Sequence, residues 1–207
     1  MSDHSVETPT QRSPIIMKIH LQTPEEIRTQ IWKELGRASL DRRHEWRTPV
    51  LACTDADGLA DARAVVLRQV DATAEQLTFY TDSRSPKVAQ LQAQDAAVLV
   101  VWSARLSWQL RVRVACSVIT AGPEVEAIWQ GVKQSAAAGD YLSPLPPGAV
   151  LPSGRDSADS AAAGTPVPTH SFALLRAQVL HMDWLELSRD GHRRAQLNGN
   201  TWAWLTP

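Results

Sequence analysis

The hydrophobic rhythm of the chain changes at about Thr48. Before that point Ile27, Ile31 and Leu35 recur every four residues, which places them on one face of a helix and assigns Arg28, Lys33 and Glu34 to its outer side. Thr23-Pro24-Glu25-Glu26 marks the start, with an N-cap hydroxyl, a proline at the first helical position and an acid at the capping-box position. Beyond Thr48 the apolar residues come in short strand-like runs. Val50 to Thr54 and Ala62 to Val70 flank Asp55-Ala56-Asp57-Gly58, whose glycine supplies the positive φ of a tight connection, so the pair reads as a hairpin. Leu77 to Thr81, Ala97 to Trp102, Trp108 to Thr120, Phe172 to Leu187 and Thr201 to Leu205 read as further strands, the last after a turn at Asn198-Gly199-Asn200. Ser85-Pro86 and Pro123 to Glu126 open two short helices.

Two stretches carry neither rhythm. Residues 1–20 are polar and aperiodic and read as a flexible leader. From about 136 to 169 the composition turns to Ala, Pro, Gly, Ser and Asp, too poor in large apolar side chains to offset its chain entropy, and predicts a mobile loop that could act as a lid. Residues 21–207 otherwise read as a single domain. Six or so strands with peripheral helices predict a mainly β (α+β) fold, a closed antiparallel barrel.

At 207 residues the chain is long enough for a substantial core. A formal net charge of -1 argues against a dedicated nucleic-acid partner. No apolar run is long enough to cross a membrane as a helix and MSDHSVETPTQRSP lacks the apolar stretch of a signal peptide, so a cytoplasmic location without a membrane partner is expected. Cys53 and Cys116 lie in apolar runs with no ligand-like neighbours and read as small buried hydrophobes, in neither a disulfide nor a metal site. The eight tryptophans are assigned mainly to core or interface.

The densest chemistry lies between Arg63 and Lys87, RAVVLRQVDATAEQLTFYTDSRSPK. Two strand-like runs and a helix start bring together Arg63, Arg68 and Lys87 with the hydroxyls of Thr81, Ser83 and Ser85. Fixed cations, hydroxyl donors and the free N–H groups of a helix N-terminus are what a phosphate dianion requires. In a regular strand Arg63 and Arg68, five residues apart, point to opposite faces, which predicts separate tasks. We assign Arg63 to a phosphate with Ser85 and Lys87, and Arg68 to a ring edge or a substrate.

RAVVLR, FYTD, SPK, the apolar strand ending in Trp102 and WQLRV with Gln109, in that order, resemble the pyridoxamine 5'-phosphate oxidase family of FMN-binding split barrels. The resemblance runs from about Arg47 to the C-terminal Trp-Ala-Trp-Leu-Thr-Pro. It implies an antiparallel split β-barrel of the PNP-oxidase-like kind, an FMN cofactor, a small-molecule substrate and a homodimer with the flavin at the subunit interface. Carried over residue by residue, it implies cofactor contacts from Arg63, Ala64, Val65, Val66, Arg68, Tyr80, Thr81, Ser85, Lys87, Gln109, Gln134, Ser135 and Arg194. Trp184 is carried over more loosely, with Trp202 also in the C-terminal region that completes such sites. Arg68 and His192 are the substrate-side candidates.

The chain departs from the family pattern in several places. Position 68 is Arg where Lys is commoner, and Pro86 stands where a basic residue is frequent. The Tyr and Arg expected on the helix near EVEAIWQGVKQ are missing, and Asp190 replaces an arginine two positions before His192. An acid at 190 would repel a phosphorylated pyridine. The reading is therefore an FMN-dependent oxidoreductase acting on something other than pyridoxine phosphate. The alternatives are a flavin-binding module without turnover, a carrier or sensor, and a split barrel that holds haem or a deazaflavin.

Overall fold

A computed structural model describes residues 21, 23–151 and 170–207. The expected leader at 1–20 and the greater part of the expected loop, 152–169, lie outside the described residues.

Helix α1 spans Pro24–Leu40 and starts as its sequence dictates. The Thr23 hydroxyl accepts from Glu26 N at 3.2 Å and Glu26 returns the bond to Thr23 N at 3.1 Å. Ile27, Ile31 and Leu35 are buried against the sheet. Glu34, expected on the outer face, is buried as well, at 1% exposure. Four donors account for it. Oε1 accepts from Gln30 Nε2 at 2.8 Å and Arg37 Nη1 at 3.2 Å, and Oε2 from His44 Nε2 and Arg105 Nη2, both at 2.8 Å. The carboxylate thus clamps α1 to the turn at Glu45–Arg47 and to a distant strand connection. Burial pushes its pKa up, but the hydrogen bond to His44 and the guanidiniums of Arg105 and Arg37 outweigh that, and the net shift is downward.

Nine strands follow among the described residues: β1 Val50–Thr54, β2 Ala60–Ala64, β3 Leu67–Asp71, β4 Gln76–Asp82, β5 Ala96–Ser103, β6 Trp108–Ile119, β7 Phe172–Glu186, β8 Arg193–Asn198 and β9 Thr201–Leu205. All pairings are antiparallel, in the order β2-β1-β5-β6-β7-β4-β3, with β8 and β9 added beside β7. Three expectations need correction. The run Ala62 to Val70 is two strands, because the backbone leaves one ladder after Ala64 and joins another at Leu67. The polar alternation of Arg193–Asn198 hides a strand, β8. The barrel is also not closed by hydrogen bonds: β2 and β3 are the two ends of the main path, and only residues 65 and 66 join them. This is a split barrel. Val65 N donates to Pro49 O at 3.0 Å, holding the seam against the entry to β1.

The inner face is filled by Leu51, Leu67, Phe79, Leu99, Leu110 and Met182, with Trp46, Trp108 and Trp184 in succession through it, tilted and then edge-on, at ring separations of 6.5 and 5.2 Å. Cys53 and Cys116 are buried thiols, as expected, and burial pushes that of Cys116 up to about 12. A second, outer cluster covers the ends of β4 and β7. Helix α2, Pro86–Ala93, follows β4, and helix α3, Pro123–Val132, follows β6. The beginning of the expected mobile loop is instead folded: a 3-10 turn at Ala136–Ala138 and a short helix α4, Gly139–Leu142. Tyr141, at 8% exposure, is the physical reason, packing edge-on to Trp129 and Phe172.

Replacing Glu34 with Ala removes the acceptor of four donors and is expected to destabilise the fold by about 3 kcal/mol, read from urea unfolding. The folded pKa of Glu34 lies below its unfolded value, so its stabilisation is present at neutral pH. It is lost as pH falls below the ordinary glutamate range and through the folded value. The Glu34→Gln variant should therefore show a flatter loss of stability between neutral and acid pH than the wild type.

Candidate functional site

The candidate residues assemble into separate groups. The first lies where β2 meets the start of α2. Arg63 pairs across the ladder with Leu51 and so points to the same side as the buried Leu51 and Cys53. Its guanidinium binds Asp61, Gln90 Oε1 at 2.9 Å and Cys53 Sγ at 2.8 Å. Lys87 is half-buried and donates to Ser85 Oγ at 2.7 Å. Ser85 occupies the N-cap position of α2, yet its side chain makes no cap hydrogen bond, which leaves the N-terminal amides of the helix without a side-chain acceptor. Burial, and after it the charge of Arg63, holds the Lys87 ammonium below its ordinary pKa.

Nearby, Arg84 braces the β4–α2 connection. Its guanidinium grips Asp82 and reaches Ser171 Oγ at 3.1 Å and Pro144 O at 3.3 Å, and Ser171 Oγ donates to Asp82 Oδ2 at 2.7 Å. Burial raises the Asp82 carboxyl, but these partners outweigh it and the net shift is downward. Thr81 is buried beside Asp82.

The second group lies on the outer side of the seam. The backbone break at residues 65–66 and a bulge between Leu67 and Gln69 turn Arg68 outward, so it and Arg63 face different ways. The Arg68 guanidinium lies 5.1 Å from the Tyr80 ring centre, a cation–π contact, while its Nε is buried without a hydrogen-bond partner. Burial first, then the charge of Arg68, depresses the pKa of Arg47. Tyr141 adds a phenol whose pKa burial raises and Arg68 lowers in part. Nothing local in the chain points to Tyr141, because it sits in a segment whose composition reads as unstructured. Ala64 and Val66 line the exposed side of the seam.

The third group is on the outer face of β6, β7 and β8. Gln109 pairs with Leu185, and Leu185 with Arg194, so Gln109 and Arg194 share one cross-strand row. Arg194 is gripped by Asp183, Nε at 3.0 Å and Nη2 at 2.7 Å. Asp183 is a residue that sequence reasoning missed.

The remaining candidates sit apart from these groups. Gln134 and Ser135 are exposed beyond α3, where the Ser135 hydroxyl donates to Val132 O at 2.7 Å. Trp184 is fully buried, edge-on to Trp108 and beneath the Arg193 guanidinium at 5.5 Å, so within one chain its ring belongs to the core and offers no surface for stacking. Trp202 is exposed on β9. His192 lies in the exposed β7–β8 connection, where Nδ1 accepts from Ser188 N at 3.1 Å, which directs a proton to Nε2.

Comparison with known proteins gives this geometry a context. The family described as "Pyridoxamine 5'-phosphate oxidase, FMN-binding domain" matches residues 29–120. A pyridoxine/pyridoxamine 5'-phosphate oxidase of Hyphomonas neptunium is 34% identical over 120 residues, which is 56% of this chain and 52% of that protein. The matches to such curated oxidases span 37–52% of their length. Among solved structures, a pyridoxamine 5'-phosphate oxidase-related, FMN-binding protein of Nostoc punctiforme is 26% identical, with a TM-score of 0.67 over 90% of this chain and 98% of that one. PhzG of Burkholderia lata, solved with tetrahydrophenazine-1-carboxylic acid, shares the fold at 22% identity, with a TM-score of 0.68 over 92% of this chain and 100% of that one.

The residues present fit FMN. Neither Lys87 nor Arg68 has an ion-pair partner among the described residues, and the buried Arg68 Nε is a donor without an acceptor. Lys87 and Ser85, with Arg63 alongside, would hold the terminal phosphate. Residues 29–120 match the FMN-binding domain of pyridoxamine 5'-phosphate oxidase and the fold is that of FMN-binding split barrels, and together with this donor set they indicate FMN as the cofactor.

Proposed function

We propose that the protein is an FMN-dependent oxidoreductase that works as a homodimer, holds the flavin between subunits and acts on a small molecule other than pyridoxine 5'-phosphate. The observation that carries this reading is the separation of the candidate cofactor contacts. Through the ladder Arg63 shares a cross-strand row with Leu51, Leu99 and Val112 on the inner face, whereas Gln109 lies three residues along β6 from Val112 and on its outer face. With the sheet itself between the two faces and three strand spacings of about 4.8 Å between β2 and β6, side chains of one chain do not close on one ligand from both groups. A two-fold partner can present its own Gln109 and Arg194 row to the Arg63, Ser85 and Lys87 pocket. Exposed Val50, Val66 and Trp102 supply apolar surface for such a contact.

When bound, FMN supplies the redox chemistry by accepting a hydride from the substrate. The chain's own residues would bind and orient. Arg68, with its unpartnered Nε, and the phenols of Tyr80 and Tyr141 form a wall that suits a planar molecule with an anionic or carbonyl oxygen. His192 offers Nε2–H to a substrate oxygen or nitrogen. Two features disfavour a phosphorylated pyridine. Asp190 is an exposed acid two residues from His192, and α3 brings Glu124 and Glu126, paired with Arg176 and near His170, where the resemblance leads one to expect a substrate-binding Tyr and Arg.

Three outcomes are expected. Lys87→Met should weaken FMN binding by about 1–3 kcal/mol, roughly ten- to a hundredfold, measured by quenching of flavin fluorescence. Oxidation of pyridoxine 5'-phosphate should be very weak or absent in steady-state assays, and turnover comparable to a dedicated oxidase would overturn the substrate reading. Light scattering should find a dimer that dissociates more readily without FMN, because a ligand shared by two subunits stabilises their association. A stable monomer with full FMN affinity would remove the interface site.

A further inference from the structure

We propose that Asp183 is a positioning residue for the flavin: it fixes Arg194 by a two-point grip and, by also binding Arg111, leaves the trio with one net positive charge directed at the ring. The inference rests on the reading that Arg194 of one subunit reaches FMN, and goes beyond it in assigning the residues that orient Arg194 and set the local charge.

Asp183 lies on the outer face of β7, opposite Arg111 on β6 and Gln196 on β8, and is 7% exposed despite belonging to a surface row. Its Oδ1 accepts Arg194 Nε at 3.0 Å, and its Oδ2 accepts Arg194 Nη2 at 2.7 Å and also Arg111 Nη2. This fork-on-fork geometry removes most of the rotamer freedom of a long side chain that would otherwise have to be ordered on binding. Once gripped, Arg194 has only its outward N–H groups left to donate, in the row that also carries Gln109. Burial pushes the Asp183 carboxyl up, but Arg194 and Arg111 outweigh it, so the carboxylate stays ionised at neutral pH, and Arg194 is held more firmly protonated in return. Arg113 and His181 complete a cleft of about 360 Å³ beside the trio.

The charge count has a redox consequence. Two guanidiniums against one carboxylate leave one positive charge, and charge near the ring is a lever on the flavin's affinity for electrons. Removing the negative member and removing a positive member must then act in opposite directions. A merely structural ion pair would weaken the protein in the same direction for both.

The test uses full-length wild type, Asp183→Asn, Arg111→Gln, Arg194→Leu and the Asp183→Asn/Arg194→Leu double variant. FMN affinity is read by fluorescence titration, the midpoint potential of bound FMN by dye equilibration, and apo-protein melting alongside. Arg194→Leu and Asp183→Asn should each weaken FMN about tenfold, and the double variant no more than Arg194→Leu alone. The potential should move positive in Asp183→Asn and negative in Arg111→Gln. Wild-type affinity in Arg194→Leu would sink the reading that Arg194 reaches the flavin, and this inference with it. Weakening in Arg194→Leu without weakening in Asp183→Asn, additive losses in the double variant, or shifts of the same sign would overturn the role of Asp183 alone. If Asp183→Asn does not fold, Arg111→Gln carries the test, and an unchanged potential there overturns the proposal.

Discussion

The fold depends on one constraint: a sheet whose two end strands are separated by only two residues of chain. β2 is tied to β1, β3 is tied to β4, and residues 65 and 66 must cross between them. Twist brings the ends of the main path near each other, but the ladder never closes. The crossing is held by Val65, buried and bonded to Pro49, while Val66 faces outward. Because the backbone changes direction here, residues on either side of the seam are aimed differently. Arg63 enters the space before α2, and Arg68 emerges over Tyr80. The interruption in the sheet is thus what aims the two cations in different directions.

Around this scaffold the ionic groups divide by what they are bound to. Glu34, Asp82, Asp183 and Glu186 are buried carboxylates, each satisfied by at least one arginine and a further donor. Removing water from a charge is costly, so each persists only because its partners are in place. They fasten elements distant in sequence: Glu186 takes both Trp108 Nε1 and Arg193, and Arg193 in turn holds the Leu21 carbonyl at 2.6 Å. Lys87 and Arg68 are different. They are partly withdrawn from water without a carboxylate in contact, a state that suits a ligand that brings the charge.

Much of this was legible in the chain, for identifiable reasons. The capping box at Thr23, the Asp-Gly turn and the proline-initiated helices are local signals, and each element formed where its signal lay. The seam was not legible because RAVVLRQV is continuously strand-like and nothing local states that the ladder partner changes within it. β8 was hidden because Arg193, Arg194 and Gln196 alternate with only two buried residues, Ala195 and Leu197. Glu34 looked like an outer-face acid because three of the donors that admit it to the interior come from other segments or from a later turn of the helix. The phosphate-like cluster could be assembled from spacing and resemblance, whereas Tyr141 and Asp183 required the tertiary structure. One depends on an outer aromatic cluster and the other on a row across three strands.

Lys87, a cation without an ion-pair partner among the described residues, also bears on kinetics. The chain as a whole carries a formal charge of -1 and Arg63 is paired with Asp61, so the positive pole at the start of α2 is the Lys87 ammonium. An anionic nucleotide approaching such a molecule is guided toward that pole before any contact forms. The range of that guidance is the Debye length, about 10 Å at 0.1 M salt, whereas the contacts that resist departure are short and partly dehydrated. Ionic strength therefore governs how quickly this barrel captures its cofactor far more than how long it retains it.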